Sequence, residues 1–218
     1  THAHVRQAAT IDCQAAFDRF FKKTSRFPKF KKKSSVASAR FTNEAMKVTE
    51  RGVKTGKGIG EIRLRGFGES VLPQDAKLLN STVSRDAAGR WWVSLCVEQP
   101  DLEPLPLQPE AVGLDVGITS LIALSTGEKV ANPRFERRDR ESLRRAQKSF
   151  SRKKKGSKNR EKARLRVAKI YARISDRRRD HLHKLSKRLI DENQVICIED
   201  LSVSNMVKNH SLARAISD

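Results

Sequence analysis

The chain is short of acid, of paired cysteines and of long apolar runs. Only 25 Asp and Glu stand against 46 Lys and Arg, leaving a formal net charge of +21 at pH 7 and a pI near 10.5. A magnitude of about 2 to 8 is usual for a small domain, so a merely solubilising surface does not account for this excess. A polyanionic partner does. The charge is not concentrated on one short amphipathic helix, which favours nucleic acid over a membrane surface. No apolar run approaches the length of about 20 residues that a membrane span needs, and no signal peptide opens the chain. The cysteines Cys13, Cys96 and Cys197 are odd in number, far apart and without a CxxC pair. That argues for a reducing compartment and against a zinc site within these residues. The sequence starts at Thr1 without an initiator Met and stops at Asp218 without a terminating signal. It reads as an internal piece of a longer protein.

At 218 residues the chain has room for one large domain or two small ones. Residues 11–33 begin with a helical pattern in which Ile11, Ala15, Phe17, Phe20 and Phe21 share an apolar face, and Pro28 is expected to end it. Phe27 and Phe30 then alternate with Lys29, Lys31, Lys32 and Lys33. That mixture serves equally as stacking surface with phosphate-binding charge or as core with a solvated edge. From 35 to 98 the pattern changes to short runs separated by turn signals: Ser35 to Thr42, Ala45 to Val48, Ile59 to Leu64, Leu79 to Ser84 and Trp91 to Val97. The last two make a hairpin around Asp86 to Gly89, and the whole predicts a small antiparallel β-barrel. Four of the seven prolines, Pro100, Pro104, Pro106 and Pro109, then form a stiff linker over 100–110, taken as the boundary between domains at 1–99 and 111–218.

The second part holds the densest charge. A helical stretch is expected from Arg134 to Phe150, a break at 151–158, and a second helix capped by Asn159 and running to about Ile190, with Leu165, Ala168, Ala172, Leu182, Leu185 and Leu189 along one stripe. Between Arg140 and Arg188, 21 Lys or Arg face four acids, so this hairpin carries +17 of the +21. A phosphate backbone lying along it would relieve the self-repulsion. The residues proposed to contact nucleic acid there are Arg152, Lys153, Lys154, Lys155, Lys158, Arg160, Arg164, Arg177 and Arg178.

Two apolar runs each carry a carboxylate. Asp115 lies within AVGLDVGITS, which reads as a buried strand turning into a second strand, with a third near Glu128 to Val130. Glu199 ends the run Val195 to Ile198. An isolated buried charge costs several kcal/mol or more, so Asp115 is expected to need a partner. Two parallel strands delivering carboxylates to one sheet edge make a divalent-metal site, and oxygen ligands suit Mg²⁺ or Mn²⁺. The order strand, strand, strand, helix, strand is that of the first half of a ribonuclease H-like fold, in which the first and fourth strands are parallel neighbours.

These residues together resemble the TnpB (OrfB) proteins of bacterial insertion sequences, relatives of type V CRISPR nucleases. GLDVG at 113–117 looks like the first RuvC motif and ICIEDLSVSNM at 196–206 like the second. Residues 152–190 resemble the family's basic helical insertion, placed at 134–191. FPKFKKK at 27–33 with TVSRDAAGRWWVSLCVE at 82–98 resembles its guide-RNA-binding barrel, the wedge domain, preceded by a helical remnant of the recognition segment. The resemblance implies an α/β plus all-β architecture: a wedge-type barrel followed by an incomplete RNase H-like (RuvC) domain with a long basic helical hairpin. It implies an RNA-guided DNA endonuclease with guide RNA and target DNA as partners, working in a bacterial or archaeal cytoplasm on the nucleoid. The implied chemistry is two-metal phosphodiester hydrolysis, with Asp115 bridging the ions and Glu199 holding one of them. The family's third catalytic Asp and its four-cysteine zinc ribbon lie beyond Asp218, so Zn²⁺ is expected only outside this sequence and the piece alone is expected to be inactive. A non-catalytic RNA-guided DNA-binding relative and a plain basic RNA-binding protein remain alternatives.

Overall fold

The computed structural model describes residues 3–29, 37–56, 59–67, 72, 76–100, 106–107 and 110–217. Two compact units result, residues 1–102 and 103–218. In the first, helix α1 (Ala3–Phe21) precedes strands β1 (Ser38–Thr42), β2 (Met46–Thr49), β3 (Gly52–Thr55), β4 (Glu61–Arg63), β5 (Lys77–Arg85) and β6 (Trp91–Glu98). The second contains β7 (Ala111–Val116), β8 (Ser120–Leu124), β9 (Lys129–Ala131), α2 (Phe135–Ser151), α3 (Lys158–Glu192), β10 (Val195–Ile198) and the short helices α4 (Val203–Met206) and α5 (Ala213–Ser217).

The expected barrel is not closed. Strands β1, β5 and β6 form one antiparallel sheet and β2, β3 and β4 another, and no strand pairing joins the two among the described residues. A single 3₁₀ turn at Asn43–Ala45 carries the chain from β1 to β2. Phe41, Ala45, Met46 and Val53 are buried together in one core, with Val83, Val93 and Leu95 of the first sheet and Ile62 of the second packed against them. Strand β3 has no counterpart in the sequence reading. Val53 is its only large apolar residue, and Gly52 and Lys54 mask any alternation.

Helix α1 also departs from expectation. It ends at Phe21, well before Pro28, and buries only Ala8. Its contacts run through its first half: Val5 joins the core, His4 lies 3.2 Å from the Thr42 hydroxyl, and Arg40 pairs with Asp12 at 2.9 Å. Ile11 and Phe21 are exposed, and Phe17, Phe20, Phe21 and Phe27 cluster on one another rather than in the core.

The second unit is built on a four-stranded sheet in the order β10-β7-β8-β9. Strands β7, β8 and β9 are antiparallel neighbours, whereas β10 runs parallel to β7 with Val195 opposite Ala111 and Ile198 opposite Leu114. A parallel neighbour requires a crossover, here supplied by the helical hairpin α2–α3. One face of the sheet is covered by the end of α3, where Leu185 and Leu189 pack on Val112 and Leu124, with Leu114, Ile122, Val130 and Ile196 around them. Each such buried side chain contributes about 1.5–3 kcal/mol. Arg188 of α3 donates twice to Glu128 Oε1, both at 2.9 Å, fixing the helix end to the β8–β9 turn.

The hairpin itself is held at three levels. Leu143 and Ala146 of α2 and Ile174 of α3 are buried. Asp139, 8% exposed, accepts from Arg177 at 3.1 Å and from Arg173. At the tip, Arg160 lies 4.2 Å from the Phe150 ring and donates to the carbonyls of Phe150 and Lys153. Ser157, not Asn159, caps α3, its hydroxyl accepting from the Arg160 N–H at 3.1 Å.

Candidate nucleic-acid and metal site

Asp115 is the fifth residue of β7 and pairs across the sheet with Ala123 of β8. Side chains alternate along a strand, so Val112 and Leu114 turn to the α3 face and Gly113 and Asp115 to the other. Asp115 is therefore exposed, not buried, and the cost of burying a charge does not bear on it. Gly113 marks a close approach of β7 to the next turn: its N–H donates to the Ser125 hydroxyl at 3.0 Å, and its carbonyl accepts from the Ser125 N–H at 2.9 Å.

Glu199 follows the last residue of β10 and is also exposed. The last paired residues of the two parallel strands are Ile198 and Leu114, so Glu199 and Asp115 are the next positions of the same register. Neighbouring strands stand about 4.8 Å apart, so the two residues occupy neighbouring backbone positions one step past the last pair. An all-oxygen pair open to water fits a hard divalent ion that keeps several waters of its own. Among the described residues no group of three His, Cys, Asp or Glu comes together.

The basic residues divide into two classes. Arg152, Lys153, Lys154, Lys155 and Lys158 are exposed around the hairpin tip, and Lys29 is exposed after α1. Arg160, Arg164 and Arg177 are engaged within the protein: Arg160 with the tip carbonyls, Arg164 with Glu161 at 2.6 Å, and Arg177 with Asp139. The Arg164 hydrogen bonds hold the Glu161 carboxyl below its ordinary range. Arg178 is half-buried, and Lys31, Lys32 and Lys33 lie outside the described residues.

Sequence reasoning passed over one feature of the first unit. Trp91 and Trp92 are 63% and 45% exposed, with the guanidinium of Arg85 at 5.7 Å from the first ring and that of Arg90 at 5.0 Å from the second. Exposed aromatic rings can stack bases, and arginines beside them can meet phosphate. The signal was the pairing of each Trp with an Arg across or beside the turn. Asp86 organises that turn, accepting from the Arg90 side chain at 2.7 Å, the Arg90 N–H at 2.9 Å and the Trp92 indole at 3.1 Å. Burial raises its pKa, but these hydrogen bonds outweigh it and lower it to about 2.

Comparison with known proteins bears on this arrangement. The family model OrfB_IS605, described as "Probable transposase", matches residues 94–210, more than half of the chain. The chain belongs to the OrfB family. A protein of Streptomyces pristinaespiralis named "Putative RNA-guided DNA endonuclease" is 51% identical over 97% of this chain and 52% of its own length. InsQ of Escherichia coli K12, named in the same words, is 31% identical over 93% of this chain and 49% of its own. A Mycobacterium tuberculosis protein so named is 31% identical over 90% and 46%. The chain thus spans about half the length of these relatives. The OrfB match runs from within β6 to just past α4, so it takes in both carboxylates and the whole basic hairpin. No described helix is long and apolar enough to cross a membrane.

Proposed function

We propose that the chain is the part of an RNA-guided DNA endonuclease that carries the first two carboxylates of its nuclease site and much of its nucleic-acid contact surface. The observation that supports this most directly is the parallel register of β10 on β7, whose last pair, Ile198 opposite Leu114, stands one residue before Glu199 and Asp115. The strand order β10-β7-β8-β9, with one antiparallel meander and one parallel neighbour, suits the first half of an RNase H-like (RuvC) sheet. Asp115 and Glu199 would hold Mg²⁺ or Mn²⁺, which when bound supplies activation of water and stabilisation of the leaving oxygen. The protein's own groups position the scissile phosphate, and the exposed lysines at 153–155 neutralise the strand that leads to it. Guide RNA and target DNA are the proposed partners, with the bacterial or archaeal cytoplasm as the compartment.

The test is plasmid cleavage by the complete reading frame loaded with its guide RNA, beside RNA binding. Asp115→Ala and Glu199→Ala each lower cleavage at least about a hundredfold while leaving RNA affinity within about twofold, because neither is among the cations that meet phosphate. Both substitutions are at exposed positions and leave stability within about 0.5 kcal/mol. Cleavage by either variant at the parent rate overturns the assignment. A complete protein that binds guide and target without cutting is the non-catalytic relative instead.

A further inference from the structure

The second unit contains a cavity of about 290 Å³ lined by Arg134, Arg137, Arg140 and Arg214, with Ile118 and Asn132 at its wall. We propose that this cavity binds one backbone phosphate of the DNA strand led to Asp115 and Glu199. The identity of the strand rests on the endonuclease reading above; the phosphate chemistry does not.

Four guanidinium groups around one small cavity repel one another unless an anion joins them. Glu136, with 17% of its side chain exposed, pairs with Arg214 at 2.8 Å. The Nε–H of Arg140 is buried and has no acceptor among the described residues. A buried, unsatisfied donor is uncommon in a folded protein and points to a missing water or ion. Guanidinium groups in turn match phosphate oxygens with paired hydrogen bonds, which an ammonium does not.

Local backbone places this set deliberately. Arg134 has φ of 45°, a left-handed conformation that is uncommon for a long side chain. It precedes α2 without capping it through its side chain. Arg137 and Arg140 follow three residues apart within α2, which keeps them neighbours on the helix surface, and Arg134 stands just before its first residue. Asn132 ties this helix start to the sheet: its side chain donates to the Ile118 carbonyl at 3.4 Å and accepts from the Arg134 N–H at 3.0 Å. Ile118 is in the β7–β8 turn, three residues beyond Asp115. A phosphate in the cavity therefore sits on the same chain turn that ends the carboxylate strand, where a strand crossing the sheet edge would pass.

The experiment follows arginine Nε–H resonances of the isotopically labelled 218-residue chain during titration with thymidine dinucleotide dTpdT, which has one phosphodiester. Its neutral methylphosphonate analogue, the RNA dinucleotide UpU and inorganic phosphate are titrated alongside. The Arg140 resonance is assigned by its loss in Arg140→Gln. The expected result is a saturable shift of that resonance with dTpdT, none with the methylphosphonate, and a loss of affinity of about tenfold in Arg134→Asn/Arg137→Gln. Arg144→Gln/Arg145→Gln, on the same helix away from the cavity, changes affinity less than about twofold. An unmoved Arg140 resonance, or equal losses in the two double variants, overturns the site in favour of diffuse charge. Tighter binding of UpU overturns the DNA assignment, and tighter binding of inorganic phosphate makes it a small-anion site. No cleavage is read, so a failure of the endonuclease reading does not alter these outcomes.

Discussion

Asp139 on α2 and Arg177 on α3, 38 positions apart in sequence, meet at 3.1 Å inside the helical hairpin. Arg173 shares the same carboxylate, so one nearly buried acid ties two cations of the most basic part of the chain to the opposite helix. Asp139→Asn removes the charge that both arginines answer and leaves them facing one another. Breaking a buried pair costs about 3–5 kcal/mol, and with the arginines nearly half exposed about 2 kcal/mol is expected here. Urea unfolding followed by helicity measures it. An unchanged midpoint means the ion pair is not what closes the hairpin.

How far all this could be read beforehand varied with the kind of signal. The hairpin helices were legible because their stripe of Leu and Ala repeats at helical spacing, and the β5–β6 hairpin because alternation flanks a turn with Asp86 and Gly89. The parallel pairing of β10 with β7 was legible in the order strand, strand, strand, helix, strand, which is that of the first half of a ribonuclease H-like fold. Closure of the first unit was not legible: pairing between short strands depends on edges that leave no trace in composition. The apolar neighbours of Asp115 predict burial, yet alternation across a sheet covered on one face exposes it. The Arg134, Arg137, Arg140 spacing was present in sequence, but Arg214 joins it only through folding.

Asp86 gives the first unit a pH dependence of definite sign. Its folded pKa is about 2 against an ordinary value of 3.8, so its stabilising effect is fully present above about pH 4 and is lost as pH falls toward 2. About 1 kcal/mol is expected after allowance for solvent screening. Thermal midpoints measured from pH 5 to pH 2 for the parent and Asp86→Asn check this. The difference between them should be largest at pH 5 and shrink through that window; a constant difference removes the titration argument.

Gly52 opens β3 where there is no room for a side chain. A Cβ built there lies 2.2 Å from the Ile62 carbonyl oxygen and 2.9 Å from the Leu64 nitrogen, both backbone atoms of the neighbouring strand and its exit. Neither can move aside without opening the β3–β4 pairing. Gly52→Ala should therefore destabilise the first unit by about 3 kcal/mol, the upper part of the range for overpacking. A fall in melting temperature of about 10 °C or more is the expected readout. A fall under about 2 °C shows that β4 can shift at no cost.

The two classes of basic residue should separate in salt. Exposed cations that meet phosphates release counterions, and log K then falls linearly with log salt by about 0.7 per phosphate on a single strand. Lys153, Lys154 and Lys155 are exposed at the hairpin tip, so the triple Gln variant should flatten the slope by about 2 and weaken binding at 50 mM salt far more than at 200 mM. Arg160 is held by two carbonyls and the Phe150 ring at the same tip. Arg160→Gln should instead lower the melting temperature and disturb the turn with a change in slope of less than about 0.5. Anisotropy titrations with one fluorescent single strand over four salt concentrations supply both slopes. Equal slopes for the parent and the lysine variant show that the tip does not touch the phosphates. A steep change in Arg160→Gln with no loss of stability shows that its side chain leaves the turn to bind them.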